Sequence, residues 1–269
     1  MIITDRFVFI HMPKTGGTFV SEVLKQLHES FTPSRIDRML RRGARSSFRS
    51  IDIHGTCNAI PEADREKPVL SVIRSPYDRH VSRYEAGHWR KRLSDLEWES
   101  RARPDHRRWY APDYGAARRR YPHSPDLSFA EYIEVCTGML GPLGRAENGS
   151  GIAVGQLTRQ VVRYYFRNPT EVLSRIDDDY VASGAYRADM YPVHFMHTDR
   201  LNDDLHAYLL GIGYPPSAVA FVRSVPKIFP LEGGRTEEQA WPTYYTPELK
   251  RLVRERERLL FAMFPEFDT

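Results

Sequence analysis

Apolar residues run almost unbroken over Phe7-Val8-Phe9-Ile10 and again over Val69-Leu70-Ser71-Val72-Ile73. Runs of this length, rich in β-branched and aromatic residues, predict strands covered on both faces, as in a parallel sheet. Between them the period changes. Val20, Val23, Leu24 and Leu27 recur at helical spacing and predict an amphipathic helix over residues 18–29. Ile51-Asp52-Ile53-His54-Gly55 predicts a short strand ending in a loop. Ser75-Pro76 predicts an N-cap with proline at the first helical position, opening a helix with Tyr77, Val81 and Tyr84 near one face. The order strand, helix, strand, strand, helix predicts an α/β protein built on a doubly wound, mostly parallel sheet.

Further along, Ser128 to Ile133 reads as the start of a short capped helix, and residues 156–166 and 170–183 read as helical. His194 to His197 predicts another sheet strand, with a helix opening at Thr198. A loop follows over residues 223–243, and a C-terminal helix runs from Thr246, with Pro247 in its first turn, to Phe264. Two stretches break the periodicity. Residues 31–50 are polar and carry Arg35, Arg38, Arg41, Arg42, Arg45 and Arg49. They predict a solvated segment, or a surface that meets an anionic acceptor. Residues 90–126 interleave arginines with Trp98, Trp109, Tyr110, Tyr114 and Tyr121, a composition suited to a glycan or nucleic acid. They predict an acceptor-side insertion or lid at about residues 88–126. No internal repeat or domain boundary is visible, so the 269 residues are expected to form a single domain.

Charge and cysteine content narrow the classes. A formal net charge of +4 suits an anionic ligand but is too mild to indicate nucleic acid. The two cysteines, Cys57 and Cys136, make neither a disulfide framework nor a metal cluster. No run approaches the ~20 apolar residues of a membrane span, and the chain enters a strand directly after Asp5-Arg6, so a cytoplasmic protein without a leader is expected. His194 and His197, three apart on a predicted strand, would face opposite sides, which disfavours a metal site with Asp199.

The chemistry concentrates where the first strand meets the first helix, in Pro13-Lys14-Thr15-Gly16-Gly17-Thr18-Phe19. A strand, a tight glycine-bearing loop and a helix N-terminus bring backbone N–H groups to one point, which suits a phosphate. The glycines let the backbone approach its ligand, and Lys14 adds a full charge. The order is not that of a nucleotide triphosphate loop, because Lys14 precedes the glycines. Arg74 at the end of a core strand, Ser82 two turns into the next helix and His54 at the end of the intervening strand complete the constellation. Strand ends of this kind converge on the ligand crevice of an open α/β sheet. His11, beside the loop, is read as strand packing.

The loop P-K-T-G-G-T-F resembles the 5'-phosphosulfate loop of the sulfotransferases that use 3'-phosphoadenosine 5'-phosphosulfate (PAPS). Those enzymes pair it with a strand ending in Arg and a Ser eight residues later, which Arg74 and Ser82 match. Gly155-Gln156-Leu157-Thr158-Arg159 and Tyr244 to Leu249 are similar to segments of bacterial and carbohydrate-type members. The resemblance implies a three-layer α/β architecture like that of the phosphate-loop NTPases. It implies PAPS as donor, adenosine 3',5'-bisphosphate as product, and no metal. Pro13, Lys14, Thr15, Gly16, Gly17 and Thr18 would hold the 5' end and Arg74 and Ser82 the 3'-phosphate. Phe19 would stack on adenine, as an aromatic does in some members. The chain has no R-K-G loop of the kind that completes the 3'-phosphate site in cytosolic animal members, and Lys227 or Arg235 stands in that place.

The reaction so implied is an in-line transfer of a sulfuryl group to a hydroxyl of a carbohydrate, lipid or small molecule. Lys14 stabilises the leaving oxygen and His54, whose imidazole has an unperturbed pKa of ~6.5, takes the acceptor proton. Neither a nucleic acid nor a membrane span is expected. Two other readings stay open on the residues alone. One is an ATP-dependent kinase of the phosphate-loop class, which the position of Lys14 and the lack of a strand-end Asp for Mg²⁺ disfavour. The other is a non-catalytic module for an anionic glycan or nucleic acid, acting through residues 90–121.

Overall fold

The computed structural model describes residues 1–30, 48–98, 109, 112–138, 152–228 and 235–268. Most of the arginine-rich segment 31–50, residues 99–108 and the Gly233-Gly234 pair lie outside them. The protein is α/β. In chain order the elements are β1 (Ile2–Ile3), β2 (Val8–Ile10), α1 (Gly17–Ser30), β3 (Arg49–Ser50), β4 (Val69–Ile73), α2 (Pro76–Glu85), α3 (His88–Ser94), α4 (Tyr114–Arg120), α5 (Phe129–Gly138), α6 (Gln156–Tyr165), α7 (Pro169–Arg175), α8 (Asp178–Ala182), α9 (Tyr186–Asp189), β5 (Val193–His197), α10 (Leu201–Gly211), α11 (Pro216–Val219), α12 (Pro247–Arg256) and α13 (Arg258–Met263), with short 3₁₀ turns between them.

The chain divides into two compact units. The first comprises Met1–Arg74 and Pro192–Phe229, and the second Ser75–Tyr191 and Pro230–Thr269. The first unit holds a five-stranded mixed sheet of order β3-β1-β2-β4-β5. β1 pairs antiparallel with both β2 and β3, while β2, β4 and β5 are parallel. Phe9 faces Leu70, and Ile73 faces His197. Every residue of β2 and β4 is buried, as their unbroken apolar runs require. Ser71, the one polar residue in those runs, donates its hydroxyl to the Ile10 carbonyl oxygen at 2.7 Å and so costs little by its burial. Phe19, Val20, Val23, Leu24 and Leu27 of α1 join Phe7, Phe9, Leu70, Val72 and Leu205 in one apolar core.

The second unit is helical. Its core gathers Tyr77 and Val81 from α2, Trp89 and Leu93 from α3, Tyr114 and Ala117 from α4, and Tyr132 and Ile133 from α5, together with Val253 and Phe261. Aromatic residues that read in sequence as part of an excursion are therefore partly core. In its place α5 starts with a reciprocal cap: the Glu131 carboxylate accepts from the Ser128 N–H at 2.8 Å, and the Ser128 hydroxyl accepts from the Glu131 N–H at 3.4 Å. Both cysteines are buried free thiols.

Two expectations need correction, and one strand is new. Residues 51–53 are not a strand. The strand is Arg49–Ser50, and Ile51 to His54 form an exposed turn in which the Asp52 carboxylate accepts from the His54 N–H at 3.0 Å. An aspartate bonding the backbone two residues on favours a turn over a ladder. β1 was not predicted, two residues being too few for a period. The C-terminal helix is broken into α12 and α13 at Glu257, which is fully buried. Among the described residues no helix is long and apolar enough to cross a membrane.

Candidate active site

Parallel strands share a direction, so the segments leaving β2, β4 and β5 emerge at one edge of the sheet. Those segments carry the Lys14 loop, Arg74 and Thr198. β3 is antiparallel to β1, which is antiparallel to β2, so β3 also points to that edge and its following turn brings His54 there. Topology alone thus gathers four residues that are distant in sequence.

The loop is tightly constrained. Lys14 sits at φ +66° and Gly16 at φ +97°. For Lys14, which has a Cβ, the left-handed region costs about 1–2 kcal/mol. Thr15 is fully buried, and its hydroxyl donates to the Met12 carbonyl oxygen at 2.9 Å, closing the turn. Thr198 clamps the loop from β5: its hydroxyl lies 2.6 Å from the Thr15 carbonyl oxygen and 3.0 Å from that of Ile73. Neither glycine tolerates a side chain. A Cβ on Gly16 would stand 2.8 Å from Leu201 Cδ2, and one on Gly17 2.2 Å from His11 Cδ2. Gly17 opens α1, whose first N–H groups have no intrahelical acceptor and face the loop.

Arg74 closes this arrangement. Its guanidinium Nη1 donates to the Lys14 carbonyl oxygen at 3.4 Å, so the arginine of the second motif lies against the backbone of the first motif's turn. His54 approaches from the edge turn: its Nδ1 lies 3.4 Å from the His11 carbonyl oxygen, and its ring meets that of His11 edge to face at 5.5 Å. A carbonyl only accepts, so in the neutral ring the contact selects the tautomer with the proton on Nδ1 and the lone pair on Nε2. His11 itself is 7% exposed. Burial, and next the charge of His54, push its pKa down from 6.5 to about 4, so it is neutral at physiological pH.

The other predicted residues fall elsewhere. Pro13 and Thr18 belong to the loop and the start of α1, with Thr18 exposed. Phe19 is 4% exposed and packed in the first unit's core, so its ring is not available for stacking on adenine. Lys227 is exposed beyond the 3₁₀ turn that follows α11. Ser82 and Arg235 belong to the second unit, where Ser82 is half-buried on α2 and Arg235 pairs with Asp78 at 2.6 Å. His194 is exposed and lies against Tyr208, with ring centroids 5.0 Å apart, while His197 is buried. Sequence reasoning passed over Thr198 and gave His11 only a packing role. A hydroxyl straight after a strand is a weak signal until the strand's neighbours are known.

No known family profile matches the chain, and no curated protein does. Among solved structures, a crystal structure of mouse sulfotransferase SULT7A1 complexed with PAP is similar over 92% of this chain and 81% of that one, at 13% identity and a TM-score of 0.42. At that identity and score the likeness carries no weight for function, and the geometry of the loop has to bear it.

Proposed function

We propose that the chain is a sulfotransferase that moves a sulfuryl group from PAPS to an acceptor hydroxyl. The observation that supports this best is the meeting of Arg74 with the Lys14 turn beside a helix N-terminus. A guanidinium against the backbone of a lysine-bearing turn, backbone donors at the start of α1 and the His54 ring near the same turn support a site for a ligand with two anionic ends.

In the proposed reaction the acceptor oxygen attacks sulfur in line. The new S–O bond forms as the bond from sulfur to the bridging phosphate oxygen breaks, and that oxygen leaves with the electron pair. Lys14 and the N–H groups of the first turn of α1 stabilise the charge on it. His54 Nε2 takes the acceptor proton, its tautomer set by the His11 carbonyl. Arg74, and by the sequence motif Ser82, hold the 3'-phosphate; Lys227 and Arg235 are proposed there from sequence only.

The test is transfer of labelled sulfate from PAPS to a panel of phenols, alcohols and sugars. Lys14→Ala and His54→Ala should each lower kcat at least a hundredfold, which corresponds to about 2.7 kcal/mol of transition-state stabilisation. Full activity in both variants would remove this mechanism. Tight binding of Mg²⁺-ATP with no response to adenosine 3',5'-bisphosphate would favour a kinase instead.

A further inference from the structure

Thr198 is the first residue beyond β5, and its side chain reaches the backbone of both cationic segments. Its hydroxyl donates to the Thr15 carbonyl oxygen at 2.6 Å and to that of Ile73 at 3.0 Å. Thr15 follows Lys14 in the loop, and Ile73 precedes Arg74 at the end of β4. A hydroxyl has one proton, so the two acceptors share it. A hydroxyl that only satisfied a stray carbonyl would need one acceptor. Here the two acceptors lie on separate segments, each next to a cation of one motif.

Little else fixes these segments to each other. The β2–β4 ladder ends at Ile10 and Ser71, before the loop and before Arg74. Arg74 Nη1 meets the Lys14 carbonyl oxygen at 3.4 Å, but through a long side chain that an anionic ligand would draw on. Thr198 is itself held in place. The β4–β5 ladder runs to Ile73 and His197, next to it in sequence. The Asp204 carboxylate accepts from the His197 N–H at 2.8 Å and pairs with Arg200 at 3.1 Å. Its methyl Cγ2 lies 3.8 Å from where a Cβ on Gly16 would stand, and a β-branched side chain has few χ1 options. The methyl thus rests on the loop while the hydroxyl bridges the carbonyls.

We infer that Thr198 is a positioning residue that sets the spacing between the Lys14 turn and Arg74, and through it the preference for a nucleotide with a phosphate at each end. The inference rests on the donor reading above, in which the turn takes the 5' end and Arg74 the 3'-phosphate. A ligand that spans both segments gains fully from the second contact only where the spacing is preset. A ligand held by the turn alone does not sense it.

The experiment is calorimetric titration of the full chain with adenosine 3',5'-bisphosphate and with adenosine 5'-monophosphate, in the native, Thr198→Val and Thr198→Ser proteins. Valine keeps the shape and removes the proton, and serine keeps the hydroxyl. Thr198→Val should cut the native preference for the bisphosphate by about tenfold, the scale of one net hydrogen bond. Thr198→Ser should retain most of it. A merely structural role would lower the Tm or weaken both nucleotides alike. An unchanged ratio in Thr198→Val, equal weakening of both nucleotides, or a serine variant as poor as the valine one would each overturn the inference. The ¹³C carbonyl resonances of Thr15 and Ile73, read without ligand, should both move in Thr198→Val and stay near their native positions in Thr198→Ser. If either stays in place in Thr198→Val, the bridge falls whatever the nucleotides do. A native protein with no preference for the bisphosphate removes the donor reading and the selectivity with it, while the carbonyl signals still decide the bridge.

Discussion

Lys14 and His11 show how much of the site is set by single residues working against their own preference. Lys14 holds a backbone conformation that glycine adopts freely. Strain of this kind at a non-glycine residue points to a side chain that is needed. Lys14→Gly should therefore be at least as stable as the native protein in denaturant titrations, while losing its response to nucleotide. A clearly less stable variant would mean that the lysine is structural. His11 makes a pH prediction. The folded imidazole titrates at about 4 and the unfolded one at 6.5, so between those values the unfolded chain binds more protons. Stability contributed by the neutral ring is fully present above pH 6.5 and is lost as the pH falls toward 4, by up to about 3 kcal/mol. The stability difference between the native protein and His11→Asn, measured in denaturant across that window, should shrink on acidification. A difference that is flat in pH would contradict the assigned burial.

At the scale of elements, close approach does what side-chain caps do elsewhere. α1 begins at a glycine because the His11 ring occupies the space of a Cβ, and Gly17→Ala should cost about 1–3 kcal/mol through overpacking and displace His11. In the second unit the N-terminus of α6 is capped from a distance. The buried Glu257 carboxylate accepts from the N–H groups of Leu157 at 3.1 Å and Thr158 at 2.6 Å and from the Thr158 hydroxyl at 2.7 Å, with His80 Nε2 3.5 Å away. Burial acts upward on its pKa, but the approach of the His80 ring and the hydrogen bonds from Thr158 outweigh it and hold the carboxyl below the usual range. Gly155 leaves the room, since a Cβ there would lie 2.0 Å from Glu257 Oε1. Glu257→Ala strands these donors and should cost about 3–5 kcal/mol, visible as a lowered Tm. An unshifted Tm would mean that water replaces the carboxylate without loss. The break between α12 and α13 at this residue has the same cause: the chain is bent to deliver a carboxylate inward.

For the whole molecule, legibility in sequence followed distance along the chain. The Lys14 loop and Arg74 were readable because each follows an apolar run whose period is plain, and the parallel pairing of those runs brings them together. His54 was placed at the right edge for the wrong reason: the edge strand ends before it, and a turn presents it. β1 and the clamp by Thr198 depend on pairings between segments up to 183 residues apart, and no local pattern encodes them. The aromatic stretch after residue 88 misled in part because tryptophan and tyrosine serve cores and binding surfaces alike, and Trp89, Tyr114 and Tyr121 are core.

The central claim, that the Lys14 turn and Arg74 form a site for a doubly phosphorylated adenosine, is tested most directly by its effect on the melting point. A compound that binds only the folded chain stabilises it by RT ln(1 + [L]/Kd), about 2.7 kcal/mol at a hundredfold excess over Kd. Adenosine 3',5'-bisphosphate should raise the Tm of the native protein by several degrees, ATP and NAD by far less, and the response should vanish in Arg74→Ala. An equal response to all three nucleotides, or one that survives in Arg74→Ala, would contradict the account.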